Sequence, residues 1–212
     1  MEIIRDQGLR AFSRKFASYL HNKITLKIFL IYEKELTETM ETAKPRVDVE
    51  IRILERPDEL DELLKNYRFG EYLEKIKKNL RSDLNLLCAF VEKDLVHTCW
   101  IAKSEEGKML IDDVPYFIDY RNEVCVCGAE TVPKYRNLGI FSFCSALLHN
   151  YLREKGYRKI KFSVERGHVI QERYQSKIGS RVIGKAVLIR IFSLKLWKTT
   201  LPRLPSKNSF QE

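Results

Sequence analysis

The chain lacks any long apolar run. The most apolar stretch of its N-terminal third, IFLIY, has five residues, against the ~20 that a membrane-spanning helix needs. Residues 1–22 are charged throughout and lack the unbroken apolar segment of a secretory leader. These two absences predict a soluble, cytoplasmic protein. The five cysteines, at 88, 99, 125, 127 and 144, all fall inside apolar stretches. That placement excludes a disulfide framework and suits small buried hydrophobes in a reducing compartment. Internal repeats and low-complexity tracts are missing, and so is any G-x-x-x-x-G-K Walker loop.

What is there is enough for a core. Apolar residues make up 44% of 212 positions, which fits one domain or one domain with an extension. Charge is uneven. Residues 1–46 hold 9 Lys+Arg and 6 Asp+Glu, a net of +3; residues 47–150 hold 14 and 19, a net of −5; residues 151–203 hold 14 and 3, a net of +11. The C-terminal block favours an anion: a phosphorylated cofactor, a nucleic acid or an acidic membrane.

Periodicity divides the chain. Leu9, Phe12, Phe16, Tyr19 and Leu20 recur at helical spacing over residues 6–22. ITLKIFLIYEKEL, 24–36, reads as a strand, and TETMETAKPR, 37–46, as a polar linker. From residue 47 the predicted order is strand, two helices, three strands, helix, strand, helix, strand. VDVEIRIL alternates strictly, and PDELDELL opens a helix with proline and acids in its first turn. EEGKMLIDDVP reads as a turn or short connection, AVLIRIFSLKLWK as a single strand, and 201–212 as a frayed tail. The fold class is α/β: a mixed sheet flanked by helices (47–200), preceded by a helix-strand extension and linker (1–46). Residues 1–36 extend the sheet, cover a cleft or form a dimer contact; the sequence leaves all three open.

The stretch TVPKYRNLGIFSF, 131–143, lies at a strand-to-helix corner, where such sheets bind anions. A helix starting near Gly139 aims the N–H groups of Leu138, Gly139, Ile140 and Phe141 at one spot. A glycine lets the backbone turn tightly and approach a ligand. Arg136 adds charge and a fork of donors. In outline this is a diphosphate cradle, although Arg-x-x-Gly alone also fits a plain capped turn.

TVPKYRNLGI, followed by SALLHNYLREKGYRKIKFSVERGHVIQERYQSKIG, resembles the acetyl-CoA-binding core of the GNAT acyltransferase superfamily. Pro133, Tyr135, Arg136 and Gly139 match its loop, Gly156 ends the helix, IKFSV supplies the strand, and Lys177 and Gly179 match the final K-x-G. The resemblance covers about 47–198 in element order and 124–180 in motif. Departures are Phe141 at a usually small position, His168 for asparagine, Gln171 for alanine or serine, and Ser180 for phenylalanine. Tyr174 stands one residue earlier than the tyrosine common before K-x-G, a rotation of about 100° on a helix.

The resemblance implies an N-acyltransferase with acetyl-CoA as cosubstrate, no metal, and a small-molecule or peptide amine as acceptor. It implies that strands near 124–131 and 158–165 splay, with pantetheine bonding the backbone around Glu130–Val132. Thr131, Val132, Arg136, Asn137, Leu138, Gly139, Ile140, Phe141 and His168 would hold the cofactor, the phosphates lying beside the basic block. A backbone N–H near Thr131 or Val132 would polarise the oxyanion, and Tyr174 would protonate the leaving thiolate, with Gln175 and water as the alternative. Glu123, Glu130, Asp112 and Asp113 are the acids placed to face an amine. Glu123 and Glu130 differ by an odd number, so a regular strand puts them on opposite faces.

Three other readings stand beside this one. His97-x-Cys99 and Cys125-x-Cys127 each put two metal-ligand types on one strand face, but buried cysteine in apolar strands is ordinary packing. LIRIFSLKLWK is basic and aromatic enough for a membrane surface, though an edge strand explains it as well. The same fold as a binding module, holding acyl-CoA without turnover or RNA on Tyr157, Lys159, Lys161 and Phe162, is the rival from another class.

Overall fold

The computed structural model describes residues 24–200; the helix predicted over 6–22 and the tail 201–212 lie outside the described residues. The elements are β1 (Ile24–Glu35), β2 (Glu50–Leu54), α1 (Glu59–Leu64), α2 (Leu73–Asn79), β3 (Leu84–Val91), β4 (Asp94–Ala102), α3 (Glu105–Ile111), β5 (Glu123–Thr131), α4 (Ile140–Glu154), β6 (Lys159–Glu165), α5 (Val169–Lys177), β7 (Arg181–Ile191) and β8 (Leu194–Thr200). The strands form one sheet in the order β2-β3-β4-β5-β6-β1-β7-β8. Its neighbours are antiparallel except β5 and β6, which run parallel.

The sheet buries both faces. One core gathers Leu86, Phe90, Trp100 and Cys125 with Leu60 of α1, Ile76 of α2 and Tyr116 of the loop after α3. The other gathers Leu87, Ile101, Val124 and Phe162 with Ile140, Cys144, Leu148 and Leu152 of α4. The latter recur every four residues, so one stripe of α4 lies on the sheet.

β1 lies inside the sheet. It pairs with β6 from Phe29↔Glu165 to Glu35↔Lys159 and with β7 along nearly its whole length. The polar linker after it also packs. The Asn150 amide bonds both backbone groups of Met40, at 2.8 and 3.0 Å, and the Arg46 N–H donates to the Leu138 carbonyl at 2.9 Å.

Two expectations are corrected. EEGKMLI is helix α3, not a turn: the Ser104 hydroxyl accepts from the Gly107 N–H at 2.9 Å, and Glu105 and Glu106 sit at its positive end. AVLIRIFSLKLWK is not one strand but parts of β7 and β8, folded back at Phe192–Ser193 with Ile191 opposite Leu194. Phe192 takes a positive φ of 54° there, so the turn has none of the glycine or asparagine that usually marks it.

Candidate active site: a split in the sheet beside a helix start

β5 and β6 pair at only three positions, Glu123↔Lys159, Val124↔Ile160 and Cys125↔Lys161. Beyond Cys125 they part, while β5 stays on β4 as far as His97↔Thr131. Among the described residues no strand pairs with the edge of β5 facing the gap, so that edge can bond an extended amide-bearing chain as another strand would.

A bulge shapes this edge. Trp100 faces Cys127, but Thr98 faces Glu130, so β5 carries one extra residue between them. Gly128 supplies it, with φ +60°; a Cβ there would lie 2.7 Å from Ile111 Cγ2 and 2.9 Å from Trp100 Cδ1. The extra residue corrects the expected alternation. Glu130 turns to the α2 side, near Lys75 Nζ (3.5 Å) and the Tyr72 hydroxyl (3.4 Å), the face that Glu123 also occupies.

Gly139 ends the loop after β5 in the left-handed region (φ 84°), and α4 starts at Ile140 without a side-chain cap. The first intrahelical bond runs from the Phe143 N–H to the Gly139 carbonyl at 3.0 Å. The N–H groups of Gly139, Ile140, Phe141 and Ser142 are thus left without helical acceptors. Arg136 Nε donates to the Thr131 carbonyl at 3.1 Å, which steers the rest of the exposed guanidinium along the same loop.

These parts line a groove of about 510 Å³ that includes Glu130, Thr131, Arg136, Asn137, Gly139, Ile140, Phe141 and His168. Behind it lies a cavity of about 260 Å³ between β5, β6, α4 and α5; Ala129, Phe141, His168 and Gln171 line both. Thr131 Oγ1 lies 2.7 Å from His97 Nδ1. Burial holds that imidazole neutral, its pKa lowered to about 4. His97 is a groove partner that sequence reasoning treated only as a metal-ligand type; the strand pairing that brings it to Thr131 left no local signal.

Several predicted site residues lie elsewhere. Leu138 packs into the α4-side core and gives its carbonyl to Arg46. The Val132 N–H is spent on the Val96 carbonyl at 2.9 Å, and its own carbonyl accepts from Tyr135, so it has no amide to offer an oxyanion. Glu123 is buried in an ion pair with Lys161 at 2.6 Å. Asp112 is also committed, accepting from Tyr116 (2.7 Å) and Ser163 (3.0 Å), and Asp113 pairs with Lys195 at 2.5 Å. Tyr174 stands one layer back: its ring meets Phe141 edge-on at 4.8 Å and lines neither space, whereas Gln175 lines the cavity. Burial raises the Tyr174 pKa and keeps the phenol protonated.

The basic block does not line the groove as expected. Among the described residues lining it, Arg136 is the lone Lys or Arg. Lys159, Lys161 and Arg181 instead surround Glu33, at 3.2, 3.9 and 2.8 Å. The residues considered for RNA are partly withdrawn too: Lys161 and Phe162 are buried, Phe162 stacked on Tyr32. The cysteines of the two candidate ligand pairs face opposite cores, Cys99 towards α4 and Cys125 and Cys127 away from it.

No profile of a known protein family matches the chain, and no curated protein does. Solved structures do. A GCN5-related N-acetyltransferase from Sphaerobacter thermophilus is 13% identical with a TM-score of 0.52, over 93% of this chain and 57% of that one. One from Kribbella flavida is 13% identical with a TM-score of 0.51, over 82% and 62%. A GCN5-related glucosamine N-acetyltransferase region of a fungal multi-domain β-N-acetylglucosaminidase is 12% identical with a TM-score of 0.52, over 84% and 22%. This chain spans about three-fifths of the length of the first two. At such identities the likeness is one of fold: the chain has the fold of the GCN5-related N-acetyltransferases.

Proposed function

We propose that the protein is an N-acyltransferase that moves an acyl group from a coenzyme A thioester to a primary amine. The observation that carries this reading is the parting of β5 and β6 directly beside an uncapped helix start. The diphosphate lies against the N–H groups of Gly139 to Ser142, with Arg136 beside it. The amide-bearing arm lies along the free edge of β5 and points its thioester into the cavity. Acetyl-CoA is the donor that the resemblance implies.

The chemistry needs no covalent intermediate. The amine nitrogen bonds the thioester carbonyl carbon, the C–S bond breaks, and an amide and a thiolate result. Glu130 is the acid that lines the groove, and it takes the ammonium proton directly or through water. With Val132 committed, the Thr131 N–H is the donor for the oxyanion. Gln175 meets the donor inside the cavity, Tyr174 supports Phe141 from behind, and water carries the second proton, shed by the attacking nitrogen as the amide forms, to the thiolate.

The acceptor is a small-molecule or peptide amine. The test is thiol release from acetyl-CoA against a panel of amino sugars, polyamines and peptides. Amine-dependent release, reduced at least tenfold in Glu130→Gln, supports the reading. Coenzyme A binding with no release from any amine would favour the non-catalytic binding module.

A further inference from the structure

The start of β1 and the hairpin of β7 and β8 turn an apolar face outward. Ile24 pairs with Ile191, and Ile191 with Leu194; Leu26 pairs with Ile189, and Ile189 with Leu196. Paired residues share a face, so six aliphatic side chains stand in two rows across three strands. They lie on the α4 side of the sheet, because Leu30, an even number of positions along β1, packs against that core. All six are 37–65% exposed. The other side of the same strands is already filled: Ala186 is buried there, and Phe29 and Trp197 pack against the same core. An antiparallel sheet with one packed face ordinarily turns polar residues to water on the other. A contiguous apolar patch in that place marks a binding surface.

The charge around the patch has one sign. Residues 181–200 contain Arg181, Lys185, Arg190, Lys195 and Lys198 and neither Asp nor Glu. Arg181 pairs with Glu33 and Glu35, and Lys195 with Asp113. Lys185, Arg190 and Lys198 are exposed and have no ion-pair partner among the described residues. Lys185 and Lys198 stand on the face of the patch itself, opposite Leu30 and Val187. A second copy of this face would therefore bring cations against cations. Residues 1–22, with 4 Lys+Arg and 2 Asp+Glu, add to the positive sign. Apolar side chains beside unpaired cations fit a bilayer with anionic headgroups: the aliphatic groups enter the acyl boundary, and Lys and Arg reach the phosphates.

We propose that this face docks on an anionic lipid bilayer. Docking needs neither donor nor acceptor, so it stands apart from the acyltransferase reading. It also orients the site. Leu26 is three residues, ~10 Å, from Phe29, which pairs with Glu165 of the cavity wall. β1 runs antiparallel to β6, so its start lies at the end of the sheet where β5 and β6 have parted. The bound protein holds the open end of the split close to the lipid surface.

The test is co-sedimentation of the 212-residue chain with vesicles of phosphatidylcholine, alone or with about 30% phosphatidylserine. Phosphatidylserine should tighten binding about tenfold or more, and raising the salt from ~0.1 M to ~0.5 M should remove most of that gain. Leu26→Glu combined with Leu196→Glu should weaken binding about tenfold or more. Lys185→Glu combined with Lys198→Glu should abolish the preference for phosphatidylserine. The two leucines are exposed and lie outside the groove, so their double variant should melt within ~5 °C of the parent and bind coenzyme A as the parent does. Parent protein left in the supernatant by both kinds of vesicle overturns the inference. So does vesicle binding that the leucine variant retains, which assigns it to another surface such as residues 1–22. A dimer that the leucine variant dissolves, in protein that ignores vesicles, also overturns it and assigns the face to a second copy.

Discussion

Gly128→Ala tests the bulge that shapes the site. Gly128 has φ +60°, and the new methyl would lie 2.7 Å from Ile111 Cγ2 and 2.9 Å from Trp100 Cδ1. Holding an L-residue in the left-handed region costs ~1–2 kcal/mol. Crowding a packed core adds ~1–3 kcal/mol. Restriction of the unfolded chain returns ~0.4–1 kcal/mol. The net loss is about 2–4 kcal/mol. Trp100 cannot swing away, being 1% exposed within the core. For a chain of this size the melting temperature should fall by roughly 5–15 °C. Urea unfolding should show a lower midpoint with an unchanged slope, the mark of lost stability without a changed unfolding mechanism. Coenzyme A binding should weaken too, because the bulge precedes the groove. Stability within ~0.5 kcal/mol of the parent would refute the claim that glycine is required here.

Three further outcomes follow from the same geometry. Gly139→Asp should weaken coenzyme A binding at least tenfold with most of the fold retained: a carboxylate would face the phosphates, at a residue with φ +84° whose Cβ would sit 3.4 Å from Pro45 Cα. An unchanged Kd would separate this loop from the phosphates. Tyr174→Phe should change turnover less than about threefold, since the ring lies behind Phe141; a loss of ~10²-fold with coenzyme A binding intact would make the phenol the acid after all. Stability should fall as pH drops from about 6.5 to about 4: His97 is held neutral in the fold, with a pKa of about 4, while the unfolded chain takes up the proton near 6.5. The loss from His97 alone is about 2 kcal/mol by pH 5, read as a lower urea midpoint than at pH 7.5. An identical midpoint at both values would place the ring in contact with water.

The corner from Thr131 to Phe143 was legible because its signals are local. Proline, arginine and glycine at short spacing, before an apolar stripe of helical period, describe a turn into a helix wherever they occur. The mixed sheet was legible for the same reason, strand by strand. What escaped depends on partners distant in sequence. Nothing near Glu123 announces Lys161 across the sheet, and nothing near His97 announces Thr131. The faces of Glu123 and Glu130 were misread because alternation assumes a regular strand, and one inserted glycine reverses every side chain beyond it. The hairpin at Phe192 escaped because its turn is made of residues that ordinarily continue a strand. Helix α3 is different: Ser104 before two acids is a readable start, and the Ser104 hydroxyl holds the Gly107 N–H in the first turn.

The central claim is that the split between β5 and β6, with the helix start at Gly139, holds a coenzyme A thioester. Calorimetric titration of coenzyme A into the 212-residue chain tests it most directly. The account expects one-to-one binding, weakened at least tenfold in Arg136→Ala and again by Gly139→Asp, with both variants folded. Folded protein that takes up no coenzyme A at millimolar concentration, or binds it equally well in both variants, would contradict it.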